Sequence, residues 1–196
     1  MSYVNKINVI CVGHSGHGIS ALCNFLLKDK RFESSNSASQ VTNSIDTELM
    51  TYKYNDKEYN LNIVDTPGYG MFRDDEHFES LKKFIEDEEK NILVFVLSSN
   101  ALIESREKYV NRVRNLVDGS HPIVLSKATL EDENTSVIER CGNQIVDRFN
   151  ASIIIPMDLI QWVEDPDKRR NEVLFNQSEE NRVKLLDYIC SQLFHD

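Results

Sequence analysis

The stretch Val12–Ser20 reads VGHSGHGIS. Gly13, Gly18 and Ser20 fall at the spacing of a phosphate-binding loop, G-x-x-x-x-G-K-[ST], with Ile19 where that pattern has lysine. Such a loop works by geometry. Glycines let the chain wrap a phosphate closely, successive N–H groups point inward, and the start of the following helix adds partial positive charge. Gly13, His14, Ser15, Gly16, His17, Gly18, Ile19, Ser20 and Ala21 are therefore the expected cradle, and Ser20 the hydroxyl offered to Mg2+. Taken alone, the same residues also describe a glycine-rich turn whose Ser20 is an ordinary helix-start hydroxyl.

The flanks narrow that choice. Lys6–Val12 (KINVICV) is a nearly continuous apolar run, the pattern of a buried parallel strand, and Ser20–Leu27 (SALCNFLL) carries apolar residues at helical spacing. The loop thus joins a strand to a helix. A second loop, Ile63–Gly70 (IVDTPGYG), follows another strand. An Asp that ends a strand, followed by x-x-Gly, is the arrangement that senses a terminal phosphate. Asp65 is expected to hold Mg2+, mostly through water, and the Gly68 N–H to meet the γ-phosphate. Asp, Pro and Gly also favour turns in general, so it is the pairing of the two loops that carries the nucleotide-binding reading.

The rest of the chain reads as alternating strands and helices. Glu48–Tyr54 and Tyr59–Asp65 alternate in polarity around Asn55–Glu58 and predict an antiparallel hairpin. Helices are predicted over 77–87, 106–117, 137–149 and 179–194, the last with Ser178 as N-cap, and strands over 91–97, 122–125 and 152–155. Arg31–Ser44, rich in Ser and Asn, reads as a loop. The order predicts an α/β fold of three layers: a mostly parallel sheet with one antiparallel edge strand, covered by helices on both faces, in a single domain over residues 1–196.

Composition sets limits. A net charge of −10 disfavours nucleic acid and anionic lipid as partners, so a bound nucleotide has to be held locally. No apolar run is long enough for a membrane span, and neither a signal peptide nor a prenylation box is legible, so a cytoplasmic location and no membrane anchor are expected. Cys11, Cys23, Cys141 and Cys190 show no metal or redox spacing and read as buried thiols.

VGHSGHGISALCN resembles the first motif of the AIG-type G domains, the GTPases of immunity-associated proteins, which read V-G-x-T-G-x-G-K-S-x-x-x-N. Gly13, Gly16, Gly18, Ser20 and Asn24 match, Ser15 is a conservative change and Ile19 departs. Ser39-Gln40-Val41-Thr42 resembles that family's S-x-x-T switch, whose Thr closes on Mg2+ and the γ-phosphate; IVDTPGYG resembles its third motif and the corresponding stretch of septins. The resemblance implies a P-loop NTPase G domain, GTP or GDP with Mg2+ as ligands, Ser20, Thr42 and Asp65 around the metal, a homodimer across the nucleotide face, and an effector protein the sequence does not identify. The fourth motif, which holds guanine through an Asp, falls on PIVLSKATLED (122–132). Ser126 and Lys127 stand for its first two residues, with the Lys127 stem across the base. Thr129 occupies the Asp position in one register, and Glu131 or Asp132 comes near it in another. The same segment also reads as a solvated loop.

The departures bear on activity. The missing lysine removes charge-assisted bonds to the β- and γ-phosphates, leaving Arg73, His14 and His17 as candidate replacements, with His17 expected to face solvent or a partner. Tyr69 stands where Ras-like proteins place a water-orienting Gln. The expectation is a GTP-binding switch or assembly module that is at most a weak GTPase. The alternative is a pseudo-GTPase that binds protein partners without nucleotide. An enzyme acting on another phosphorylated ligand ranks third.

Overall fold

The computed structural model describes residues 6–33, 42–70, 73–88, 90–98, 104–126, 146, 149–157, 159 and 172–192. Among the described residues ten elements run in the order β1 (Lys6–Gly13), α1 (Ile19–Leu27), β2 (Asp46–Tyr54), β3 (Lys57–Asp65), α2 (Asp74–Glu86), β4 (Asn91–Ser98), α3 (Glu104–Arg114), β5 (His121–Ser126), β6 (Ala151–Met157) and α4 (Glu172–Ser191). The strands form one sheet in the order β2-β3-β1-β4-β5-β6. Among these pairings only β2–β3 is antiparallel, as the hairpin reading expects.

β1 organises the core because its alternate residues serve different layers. Ile7, Val9 and Cys11 pack with Leu22, Phe25 and Leu26 of α1 and with Leu185 and Ile189 of α4. Ile10 and Val12 pack with Leu81 and Ile85 of α2 and with Val110 and Val113 of α3. A strand buried on both faces needs an apolar residue at nearly every position, which is why Lys6–Val12 shows no polar alternation. The exception is Asn8. It accepts a bond from Asn62 of β3 (2.8 Å) and donates to Asn91 of β4 (3.1 Å), so the buried amide is satisfied across three strands. From β1 the chain goes to β3 on one side and β4 on the other, and the crevice at such a switch point opens at the carboxyl ends of the strands.

The structure corrects several boundaries. The hairpin loop has two residues rather than four: Asn55 and Asp56 both take positive φ (47° and 60°), the geometry of a type I′ turn, and β3 starts at Lys57. α2 begins at Asp74, where Asp74, Asp75 and Glu76 complement the helix dipole. α3 spans Glu104–Arg114 rather than 106–117. Ser178 is not an N-cap. It is buried inside α4, on the same stripe as Phe175, Arg182, Leu185 and Ile189, because the helical period starts before it. Of the helix predicted over 137–149, only Val146 and Phe149 are described, and both are helical. Cys11, Cys23 and Cys190 are buried free thiols, as expected, and Cys141 lies outside the described residues.

Arg182 ties α4 to α1. Its buried guanidinium donates from Nε to the carbonyls of Phe25 (3.1 Å) and Leu26 (3.0 Å) and from Nη2 to Leu26, adding donors to the last turn of α1, where the Phe25 carbonyl also accepts the Lys28 N–H (3.3 Å). Lys28 at the end of α1 pairs with Glu179 of α4. Arg182→Met keeps much of the side-chain volume and removes the donors. It is expected to lower the unfolding free energy by about 2–3 kcal/mol, the scale of hydrogen bonds to a charged group. Urea unfolding measures this, and an unchanged midpoint would contradict the capping role.

Candidate functional site

The loop between β1 and α1 sits at the switch point. Gly18 ends it with φ +91°, a left-handed conformation that strains other residues, and a Cβ there would also press on Leu159 at 3.2 Å. Ile19, Ser20 and Ala21 form the first turn of α1, whose N–H groups have no acceptor within the helix, and no acidic side chain lies in that turn. The backbone therefore presents the partial positive charge that an anion requires.

Ile19 does not project into the loop. Its side chain is 6% exposed and belongs to the apolar cluster under α1. The residue at the lysine position thus contributes its N–H and its packing, and no charge. Arg73 is exposed and pairs with Glu76 at the start of α2. His17 corrects the sequence reading. It is 4% exposed, beneath the loop, where its Nδ1 meets the Val96 carbonyl (3.3 Å) and the Ser98 N–H (3.4 Å) at the end of β4. The turn through Gly16 (φ +78°) brings the chain back over β4 and makes that packing reachable. His14 stays half-buried, its ring 5.3 Å from that of His17 and edge-on to Tyr69.

Asp65 ends β3 with 1% exposure. Ser20 Oγ donates to its Oδ2 at 2.7 Å, Thr42 Oγ1 donates to the same oxygen at 3.4 Å, and the two hydroxyls lie 3.2 Å apart. Three elements far apart in sequence thus converge on one point. Burial pushes the carboxyl up to about 6, and the two hydroxyl bonds act against that rise. Two hydroxyls and a carboxylate are the hard oxygens that Mg2+ takes, and their spacing is near the roughly 3 Å between adjacent ligands of an octahedral Mg2+. The residues present fit that ion.

The second loop is bolted to the first. Tyr69 donates its N–H to the Gly13 carbonyl (3.0 Å) and accepts from the Ser15 N–H (2.8 Å). Gly68 lies so close that a Cβ on it would stand 2.6 Å from Ser15 Cα. Thr66 Oγ1 donates to the Cys11 carbonyl (2.8 Å) and fixes the turn to β1. The Tyr69 ring stacks on Tyr109 of α3 at 4.2 Å. At β5 the buried Ser126 donates its Oγ to the His17 carbonyl, bracing the loop from the far side. Lys127, Thr129, Glu131 and Asp132 lie outside the described residues, as do Ser39, Gln40 and Val41. Sequence reasoning missed the Ser126 brace, the Tyr69–Tyr109 stack and the Leu159 contact. No local pattern signals them, because each joins residues distant along the chain.

A folded-state pKa above the ordinary carboxylate value means that the folded protein binds the Asp65 proton more tightly than the unfolded chain does. This contribution to stability is fully present below pH 4 and is lost as pH rises through 6. In metal-free protein, the difference in unfolding free energy between wild type and Asp65→Asn is expected to move by about 3 kcal/mol from pH 4 to pH 7, at wild type's expense. Denaturant titrations across that range measure it, and a pH-independent difference would contradict the assignment.

Comparison with known proteins bears on the same residues. The chain is 28% identical over 116 residues to Cell division control protein 10 of Saccharomyces cerevisiae, covering 56% of this chain and 34% of that protein. It is 28% identical over 114 residues to the probable GTP-binding protein EngB of Campylobacter jejuni, covering 58% of each. The chain therefore spans about a third to three-fifths of the curated relatives it matches. Toc33 from Arabidopsis thaliana, solved in complex with GDP and Mg2+, superposes with a TM-score of 0.68 at 15% identity over 94% of this chain and 83% of that one, a likeness of fold. The model of the AIG1 family matches residues 7–146, from the first strand through both loops and β5. The chain belongs to the AIG1 family.

Proposed function

We propose that this protein binds a guanine nucleotide with Mg2+ in the loop Gly13–Ala21 and works as a nucleotide-dependent switch or assembly module with slow or absent hydrolysis. The observation that carries the reading is the convergence of Ser20, Thr42 and Asp65 on one point beside the first turn of α1. A helix N-terminus supplies the anion side of such a site, and three hard oxygens supply the cation side. The choice of guanine follows the relatives, among them a probable GTP-binding protein and a structure holding GDP and Mg2+. Ser20, Thr42 and Asp65 would hold the metal, which neutralises phosphate charge when bound.

Slow hydrolysis follows from two side chains. Ile19 is packed in the core and offers no charge to a transferring phosphoryl group, and Tyr69 is stacked on Tyr109. Phosphoryl transfer depends on electrostatics and positioning, and both side chains withhold them. A dimer across the nucleotide face could supply what is missing. For chloroplast translocon components including Toc33, dimerization is important for the GTPase activity.

A specific observation also favours the second reading, a G fold kept as a nucleotide-independent binding module: the buried Ile19 strengthens the apolar cluster at the expense of the ligand. Ile19→Lys separates the two. Under the nucleotide reading it tightens GTP binding by about ten- to a hundredfold, the worth of a charge-assisted bond. It also lowers the thermal midpoint of nucleotide-free protein, because an apolar side chain leaves the core. Unchanged affinity with only lost stability would favour the second reading. Wild-type turnover as fast as that of lysine-bearing G domains would overturn the claim of slow hydrolysis.

A further inference from the structure

β2 ends one side of the sheet and, among the described residues, pairs with β3 alone. The type I′ turn sets the ladder. Tyr54 and Lys57 flank the two turn residues and exchange hydrogen bonds, and every second residue back along β2 does the same with β3. The backbone N–H and C=O groups of Thr47, Leu49, Thr51 and Lys53 therefore point away from β3, and no described group meets them. The side chains of these four residues are exposed, Leu49 at 65%. Met50, Tyr52 and Tyr54 instead lean on the cluster under α1. Sheet edges are usually guarded by proline, a bulge or repeated lysines. β2 has nine residues, no proline, an unbroken register with β3 and one lysine, Lys53, near its end.

We infer that this edge pairs with the same edge of a second copy of the chain, antiparallel about a twofold axis at Met50. In that register Thr47 stands opposite the partner's Lys53 and Leu49 opposite the partner's Thr51. All four open residues then find partners, with about eight hydrogen bonds. Leu49 comes diagonal to the partner's Leu49, within side-chain reach, and its apolar surface leaves water. The charges select this occupant. Asp46 and Glu48 lie in the first half of β2 and Lys53 in the second. Antiparallel self-pairing lays the acidic half of one copy along the basic half of the other, whereas parallel pairing lays like on like. Asp46 and Glu48 face the partner's Tyr54 and the partner's Tyr52, so no two like charges stand opposite each other. Asp65 pairs with Asp46 at one end of β2, so the joined sheet carries its two crevices at opposite ends. The contact is thus separate from a dimer across the nucleotide face and stands without the nucleotide reading.

Sedimentation velocity on the nucleotide-free chain tests it. A single strand pairing is a small interface, so wild type is expected to be mostly dimeric at about 100 μM chain and monomeric at about 1 μM. Thr51→Pro removes one outward N–H and leaves the ladder to β3 intact. Leu49→Lys sets two like charges diagonal to each other across the axis. Each is expected to weaken dimerisation by at least about tenfold. Leu49→Lys changes an exposed side chain and serves where the proline variant does not fold. Met50→Cys checks the register. It sets two thiols opposite each other at about 4.5 Å between Cα atoms, the spacing of a non-hydrogen-bonded pair and within the reach of a disulfide. Under copper–phenanthroline oxidation it is expected to give a cross-linked dimer, while Glu48→Cys, which faces the partner's Tyr52, does not; equal cross-linking of the two would overturn the register. Wild type that stays monomeric at the higher concentration would overturn the proposal and leave the edge to a strand of another protein. A dimer that both edge variants leave unchanged, or that forms only with GTP and Mg2+, would overturn it in favour of another face.

Discussion

A carboxylate with almost no contact with water has to be answered by donors or by a cation, and Asp65 is such a carboxylate. It stands at the end of β3, between Cys11 of β1 and Asp46 of β2, where the sheet offers it no cation and one like charge. Two hydroxyls, from Ser20 and Thr42, meet it. These bonds fix more than one side chain. They bring together the start of α1, the end of β3 and the approach to β2, and so define the mouth of the crevice. The raised proton affinity of the group records how incompletely two neutral hydroxyls replace water.

Around that point the two loops behave as one piece of backbone. Paired bonds between Tyr69 and the Gly13–Ser15 segment continue the β1–β3 pairing beyond the sheet, and only a glycine fits at position 68. Ser126 grips the loop from β5 and His17 packs it onto β4. The Gly13–Gly18 loop is thus held from three strands. Ile19, where the phosphate-loop pattern carries lysine, faces the core and adds to this framework through its packing.

The parts of this arrangement legible in the sequence are those encoded locally. The apolar run Lys6–Val12, the glycine spacing and the paired IVDTPGYG loop point to a glycine-rich loop between a buried strand and a helix and to Ser20 and Asp65, while Thr42 is legible only through the resemblance of Ser39–Thr42 to the AIG-type switch. Asn55–Asp56 shows the limit at a turn: the pattern showed a hairpin, while the tolerance of Asn and Asp for positive φ decided that it is two residues long. Ser178 shows the limit of capping rules, since a hydroxyl before an acidic run signals an N-cap only where no apolar stripe extends past it. His17 looked like a loop side chain and is a buried one, because exposure depends on where β4 lies. Contacts of that kind, like the Arg182 cap on α1, join residues that sequence proximity cannot connect.

The central claim is that Gly13–Ala21 cradles a guanine nucleotide together with a cation held by Ser20, Thr42 and Asp65. Calorimetric titration of the purified protein with GDP, GTP and ATP, each with and without Mg2+, tests it most directly. The account predicts heat with the guanine nucleotides, strengthened by Mg2+, and none with ATP. No heat from folded protein at millimolar nucleotide would contradict it and leave a G fold that works through protein surfaces alone.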